Sequence, residues 1–205
     1  MIEIIVFLIG FTLLIQLYFS SKSRKRTGDK PILAILLGSG GHTTEMCSFL
    51  RNFDFLNVQQ IYIISTSTDK LSNSFFLNFM NEERPEVSLD KFIFLQTKRT
   101  NEVKQSMVTS ILSTLLAAFN ALWIILRKAK GVTHLVGNGP GFCVPFFYLY
   151  FIFNKVKLTS TKTIFIESWC RVDSLSSSGK LIKLVSDEFL IHWEGQKKLY
   201  SNARY

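Results

Sequence analysis

Short, continuous apolar runs alternate with longer helical segments along most of the chain. Apolar runs without internal polar alternation are typical of parallel strands that are covered on both faces. We predict six strands, over residues 32–37, 60–65, 92–96, 134–137, 163–167 and 188–192. We predict helices between them, over residues 43–52, 69–81 (opened by Asp69 as a cap), 101–128, 141–153 and 179–185. The pattern therefore predicts an α/β fold with a doubly wound, Rossmann-like parallel sheet.

The N-terminal segment has the composition of a membrane anchor. Residues 4–19 carry no charge, and extension to Ser21 approaches the ~20 residues that cross a bilayer as a helix. Four basic residues between Lys22 and Arg26 follow, whereas only Glu3 precedes, so the positive-inside rule places the body in the cytosol. The basic start and the small-residue cleavage site of a signal peptide are not seen. We predict a transmembrane anchor over residues 1–21, a basic linker over 22–30 and one domain over 31–205.

A second uncharged stretch, residues 106–126, is also long enough to cross a bilayer. Predicted strands lie on both sides of it, and a crossing between them would divide one sheet across the membrane. We therefore expect a buried crossover helix there, and the same reasoning applies to residues 142–153. For the helix over residues 106–126, the alternative is that one of its faces contacts the bilayer.

Charge and composition narrow the classes of ligand. The chain has 24 basic and 15 acidic residues, for a net charge of +9. This charge suits anionic lipid or a phosphate-bearing substrate, and no basic run interleaved with aromatic residues indicates nucleic acid. The three cysteines are far apart and indicate reduced thiols. The histidines and cysteines lack metal-ligand spacing, so we expect no metal and no cofactor.

The first candidate site follows the first predicted strand and is called glycine loop 1 (residues 37–43). Its candidate binding residues are Gly38, Ser39, Gly40, Gly41, His42 and Thr43. Glycines let backbone N–H groups approach an anion, and the start of a helix adds partial positive charge. A dinucleotide fingerprint would need glycine in place of Thr43 and an acid in place of Ser65 or Thr66. The loop therefore predicts a phosphate or diphosphate site, and a tight turn without a ligand is the alternative.

Two more unusual sequences follow the fourth and fifth predicted strands. Glycine loop 2 (residues 136–141) contributes Asn138, Gly139 and Gly141, in a rigid loop that exposes backbone donors or simply turns the chain. In the 167–171 segment, Glu167 is a candidate base or sugar ligand and Arg171 a candidate phosphate ligand. A structural ion pair between these two is the alternative. Because ligands of doubly wound folds bind at the carboxyl ends of strands, we expect one shared site.

These segments, in this order, resemble a known family. It is the membrane-anchor subunit of the two-part enzyme that adds the second N-acetylglucosamine to the dolichol-diphosphate precursor of asparagine-linked glycosylation. The resemblance rests on the N-terminal anchor and on residues 38–46, 137–141, 167–172, 174–180 and 187–193. That family is similar in turn to the N-terminal half of the bacterial transferase that makes the lipid-linked peptidoglycan precursor. The resemblance therefore implies one half of a GT-B glycosyltransferase.

By this resemblance, the chain supplies the acceptor-lipid half of an inverting N-acetylglucosaminyltransferase and is inactive alone. It recruits a soluble partner that binds UDP-N-acetylglucosamine, and residues 194–205 help to hold that partner. The location implied is the endoplasmic reticulum membrane, single-pass, with the body in the cytosol. His42 and Glu167 are both candidate bases, and the residues alone do not choose between them.

Two other functions remain open. The chain could be a catalytically silent membrane scaffold for a complete partner enzyme. It could also be a membrane-bound oxidoreductase with a nucleotide cofactor, against which Thr43 and the missing acid argue.

Overall fold

The computed structural model describes residues 30–98, 107–199 and 204. Within them the sheet has six strands, β1 (Ile32–Leu36), β2 (Gln60–Thr66), β3 (Phe92–Thr97), β4 (His134–Asn138), β5 (Lys162–Ile166) and β6 (Glu188–Leu190). Every neighbouring pair is parallel, and the strand order is β3-β2-β1-β4-β5-β6. The order reverses between β1 and β4, which is the arrangement of a doubly wound Rossmann sheet. The predicted fold class is confirmed.

Helices connect the strands at nearly the predicted places. They are α1 (Gly41–Leu50), α2 (Ser72–Glu83), α3 (Met107–Trp123), α4 (Cys143–Lys155), α5 (Ser177–Ile182) and α6 (Glu194–Leu199). Helix α2 begins later than predicted, because the Asp69 carboxylate accepts from the backbone N–H groups of Leu71 and Ser72 at 3.2 and 3.0 Å. Asp69 therefore forms a turn before the helix instead of capping it.

The sheet is covered on both faces, which explains the continuous apolar runs. On one face, Leu36, Leu135 and Phe165 pack with α3, α4 and α5. On the other, Leu33 and Ile35 pack with α1 and α2. Successive residues of β1 thus point to opposite layers, and both layers are apolar. Full burial of each such side chain stabilises the fold by about 1.5–3 kcal/mol.

Within the uncharged stretch, residues 107–126 belong to the crossover between β3 and β4, as predicted. Helix α3 continues as a π-helical turn over Ile124–Lys128. Ala117, Ala121 and Ile124 of this connection are buried against the sheet. None of the helices in the described part of the chain is both long and apolar enough to cross a membrane. The predicted anchor (1–21) and all but the last residue of the predicted linker (22–30) lie outside the described residues.

The chain returns to the edge of the sheet at Arg204. The backbone N–H of Arg204 donates to the carbonyl of Phe189 at 2.8 Å, and its carbonyl accepts from Ile191 at 2.9 Å. The Arg204 guanidinium also pairs with Glu188 at 2.8 Å. Arg204 therefore lies beside β6.

Candidate functional site

Glycine loop 1, glycine loop 2 and the 167–171 segment follow β1, β4 and β5, which are neighbours in the sheet. The carboxyl ends of these strands therefore bring the three segments side by side, as the sequence predicts. The two loops pack closely, with the Pro140 ring against Gly38. A Cβ atom on residue 38 would lie 2.7 Å from Cδ of Pro140, so Gly38 is required for this packing. The two loops are thus fixed against each other.

The His42 imidazole lies directly over glycine loop 2. A Cβ atom on residue 139 would overlap the ring, and Gly139 has a φ of +78°, where side chains are rare. The His42 side chain is 30% exposed, so part of it is accessible to solvent. The structure therefore brings together His42 and Gly139, two of the predicted site residues.

The outer part of glycine loop 1 is open. Ser39, Gly40 and Gly41 are exposed, and a Cβ atom on either glycine would meet nothing within 4 Å. Helix α1 starts at Gly41 with no side-chain cap and no acidic residue in its first turn. Its start presents backbone donors and partial positive charge to this open space, which suits an anion such as phosphate.

Thr43 has a different place from the other loop residues. It is buried, and its hydroxyl hydrogen-bonds to the carbonyl of Gly38 and to Oγ of Ser72, the latter at 2.6 Å. These bonds tie the inner side of glycine loop 1 to the start of α2. The geometry therefore gives Thr43 a supporting position behind the loop, and its predicted contact with substrate remains a prediction.

Glu45 is a site residue that the sequence reasoning missed. Its side chain is only 10% exposed, and its carboxylate lies 3.2 Å from Nδ1 of His42. The same carboxylate accepts from the Ser168 hydroxyl at 2.7 Å, the backbone N–H of Trp169 at 3.2 Å and the side-chain amide of Asn138 at 3.3 Å. Glu45 therefore contacts all three site segments. The only sequence signal is its position three residues after His42, on the same face of a helix.

Asn138, Gly141 and Arg171 complete the predicted set. Asn138 is buried, and its amide also donates to the carbonyl of His42 at 2.9 Å, so it holds the start of α1. Gly141 and Arg171 are both exposed at the same edge of the sheet. They are therefore available to a ligand, whereas Asn138 is buried against His42 and Glu45, and its predicted contact with substrate remains a prediction.

Glu167 is buried inside the domain. It is 1% exposed, and its carboxylate accepts from the N–H of Ser168 at 2.9 Å and from the N–H and hydroxyl of Ser176 at 2.9 and 3.1 Å. A Cβ atom on Gly179 would overlap this carboxylate. These contacts hold the turn into α5 and replace the ion pair with Arg171 that was the structural alternative.

An aromatic surface borders the site. Trp169 donates its indole N–H to Nδ1 of His192 at 3.1 Å, and Trp193 donates its own to the carbonyl of Trp169 at 2.9 Å. Burial holds the pKa of His192 below its ordinary value, which favours the neutral acceptor form. Both indoles are nearly half-exposed, and a shallow cavity of about 300 Å³ lies beside Trp193. Because both indole N–H groups already donate hydrogen bonds within the domain, the two tryptophans present mainly their apolar rings to a ligand or partner.

Metal ligands are not grouped in this region. Across residues 30–98, 107–199 and 204, no three His, Cys, Asp or Glu side chains gather as a metal site would require. The chemistry that the visible groups can supply is hydrogen bonding to phosphate and proton transfer at an imidazole.

Comparison with known proteins shows similarity over most of the chain, and not only in the two glycine loops. The family model described as "Oligosaccharide biosynthesis protein Alg14 like" matches residues 33–205. The chain belongs to this family. It is 36% identical to the UDP-N-acetylglucosamine transferase subunit ALG14 of Candida albicans over 191 residues, 93% of this chain and 84% of that protein. It is 30% identical to the human protein of the same name over 180 residues, covering 84% and 80% of the two chains. The family resemblance that residues 38–46, 137–141 and 167–172 indicated is therefore confirmed for this Alg14 family member.

A solved structure gives the corresponding fold. The crystal structure of MurG from Acinetobacter baumannii matches with a TM-score of 0.52 and 16% identity, over 81% of this chain. The match covers 42% of the MurG chain, so this Alg14 family member spans less than half of that protein. At this identity the likeness concerns the fold, and it confirms the predicted GT-B half.

Proposed function

We propose that the chain is the acceptor-side, membrane-bound subunit of a two-chain N-acetylglucosaminyltransferase. It would transfer N-acetylglucosamine from UDP-N-acetylglucosamine to dolichol-diphosphate-linked N-acetylglucosamine at the cytosolic face of the endoplasmic reticulum. The observation that carries this proposal is the accessible His42 ring beside the open start of α1. The names of the relatives support the sugar nucleotide and the subunit role.

The chemistry needs a base and a place for diphosphate. The acceptor's 4-hydroxyl would attack C1 of the donor sugar with inversion, its proton would pass to His42, and UDP would leave. Gly40, Gly41 and the start of α1 would receive a diphosphate, since they combine open space with backbone donors. The burial of Glu167 and the bonds at both of its oxygens favour His42 as the base.

A partner would supply the other half of the enzyme. A GT-B site lies between two domains, and the chain matches only 42% of MurG. The surface of Trp169, Trp193 and Val172, beside the cavity at Trp193, is exposed at the edge where the second domain would dock. We assign this surface, with the C-terminal segment at Arg204, to the donor-binding subunit.

A second face of the domain would contact the membrane. Leu116, Phe119 and Trp123 form an exposed stripe on α3. Ile152 of the adjacent α4 and Val156, which directly follows α4, are exposed as well. The Lys128 ammonium lies 4.8 Å from the centre of the Trp123 ring, and Lys155 lies 5.4 Å from that of Phe151. An apolar stripe bordered by cations suits the interface of an anionic bilayer. Together with the predicted anchor, it supports a membrane location.

The test is transfer from UDP-N-acetylglucosamine to a lipid-diphosphate-linked N-acetylglucosamine. It is run with the full chain alone, with the donor-binding partner alone and with both. Turnover only in the mixture supports a shared site. Turnover by the partner alone at the rate of the mixture would make this chain a scaffold and overturn the proposal. Full turnover by His42→Ala in the mixture would remove His42 as the base.

A further inference from the structure

The Glu45 carboxylate contacts all three site segments while lying behind the candidate base. Oε2 lies 3.2 Å from Nδ1 of His42 and 3.3 Å from the Asn138 amide nitrogen. Oε1 accepts from the Ser168 hydroxyl at 2.7 Å and from the backbone N–H of Trp169 at 3.2 Å. The side chain is 10% exposed, which leaves little room for direct contact with substrate. Its chemistry must therefore act through its neighbours.

The contact with His42 decides which nitrogen of the ring carries the proton. An ionised carboxylate only accepts hydrogen bonds, so the nitrogen that faces it, Nδ1, must donate. In a neutral imidazole the other nitrogen, Nε2, then has a free lone pair. The opposite tautomer would place two acceptors against each other. Glu45 therefore selects the form of His42 in which Nε2 can take a proton.

The other carboxylate oxygen extends this control to the 167–171 segment. Ser168 and Trp169 are more than 120 residues from Glu45 in sequence, yet both donate to Oε1. The orientation of the His42 ring and the position of this segment thus depend on one side chain. Glu167, by contrast, bonds to Ser168 and Ser176, so the two acids have separate tasks.

We propose that Glu45 is a positioning residue that fixes the Nδ1–H tautomer of His42 and aligns its Nε2 with the acceptor hydroxyl. The proposal rests on the proposed function for its consequence in catalysis, whereas the tautomer itself can be measured without turnover. If Glu45 only joined the loops, its loss would lower stability and leave the tautomer unchanged.

The first measurement is nitrogen NMR of the full chain in detergent, labelled with ¹⁵N only in histidine. The chain has three histidines, and His42→Ala assigns the His42 signals. We expect neutral His42 to carry its proton on Nδ1 in the wild-type chain. Glu45→Gln should give a mixture of both tautomers, because a side-chain amide can donate as well as accept. Ser168→Ala is the matched control, since it removes one donor to Glu45 without touching His42.

The second measurement is steady-state turnover with the partner present. Glu45→Gln should lower kcat by about tenfold or more, with a smaller change in KM. The loss should not exceed the about 10²- to 10⁴-fold that a positioned base contributes in total. Ser168→Ala should lower kcat less and keep the Nδ1–H tautomer.

The outcomes separate this inference from the proposed function. A wild-type ring protonated on Nε2, or a Glu45→Gln variant with unchanged tautomer and kcat, would overturn the role of Glu45. If Glu45→Gln changes the tautomer while His42→Ala retains full turnover, Glu45 does position the ring and the base role of His42 is wrong.

Discussion

The imidazole of His42 occupies the space that a side chain on Gly139 would need. Gly139→Ala should therefore displace the ring and lower kcat of the reconstituted pair by at least about tenfold, because small misplacements of a reacting group are costly. The substitution should also destabilise the fold by about 1–2 kcal/mol, since φ at this position is positive. Steady-state turnover and urea denaturation measure the two effects.

Gly131→Ala is the matched control for that prediction. Gly131 has a φ of +71°, and its added Cβ would meet only Ile32, at 3.4 Å. This variant should show a similar loss of stability while its folded fraction keeps full kcat. Equal loss of kcat in both variants would show that backbone strain, and not the position of His42, explains the effect.

Glu167→Gln tests the second candidate base. The carboxylate accepts three hydrogen bonds while buried, and an amide would turn an N–H₂ group toward some of these donors. We expect a loss of about 1–3 kcal/mol in the free energy of unfolding, with turnover of the folded fraction nearly kept. Glu86→Gln, at an exposed ion pair with Arg84, is the control and should leave the free energy of unfolding nearly unchanged. Lost turnover with unchanged stability would instead identify Glu167 as the base.

His192 should make stability depend on pH. Burial lowers its pKa in the folded chain, so the unfolded chain binds the proton more readily as pH falls below about 6.5. Stability should therefore be full above this pH and decline below it. Protonation of His192 leaves its Nδ1 unable to accept the hydrogen bond from the indole N–H of Trp169. Urea midpoints at about pH 7.5 and about pH 5.5 measure the decline.

His192→Asn provides the comparison for the pH dependence. An amide oxygen can replace Nδ1 as acceptor and does not titrate in this range. The decline toward acid pH should be smaller in this variant. An unchanged decline would assign the pH dependence to groups other than His192.

The exposed stripe on α3 predicts where the molecule meets lipid. The full chain would be placed in vesicles that contain brominated, anionic lipid, and tryptophan fluorescence would be recorded. A variant with only Trp123 (Trp169→Phe and Trp193→Phe) should be strongly quenched. A variant with only Trp169 is the control, since this ring is similarly exposed but lies at the site edge. Equal quenching would place the membrane elsewhere.

The sequence predicted the fold well for a physical reason. Strands such as β1 and β2 are buried on both faces, so their apolar runs are unbroken and easy to recognise. The π-helical turn at Ile124–Lys128 was not predicted, because apolar periodicity does not distinguish it from an α-helix. The start of α2 was placed too early because Asp69 can form either a cap or a turn.

The site was less predictable, because burial and distant contacts decide the roles. Glu45 meets Asn138 and Ser168, 93 and 123 residues away, and no local pattern shows such contacts. Thr43 lies at the start of α1 and Glu167 directly after β5, and their polar side chains suggested ligand contact. Ser72 and Ser176 hydrogen-bond to them inside the domain, and neither contact could be read from a local pattern.

The direct packing of Gly38 against Pro140 has a consequence for how this edge of the protein can change over evolution. Because a Cβ atom on residue 38 would lie 2.7 Å from Cδ of Pro140 and 2.8 Å from Cβ of His42, residue 38 cannot be enlarged without moving both. Single substitutions in either loop would disturb both. We expect new specificities to arise instead from the exposed rim, at Ser39, Arg171 or Trp193, where a side chain can be replaced without altering the shape beneath it.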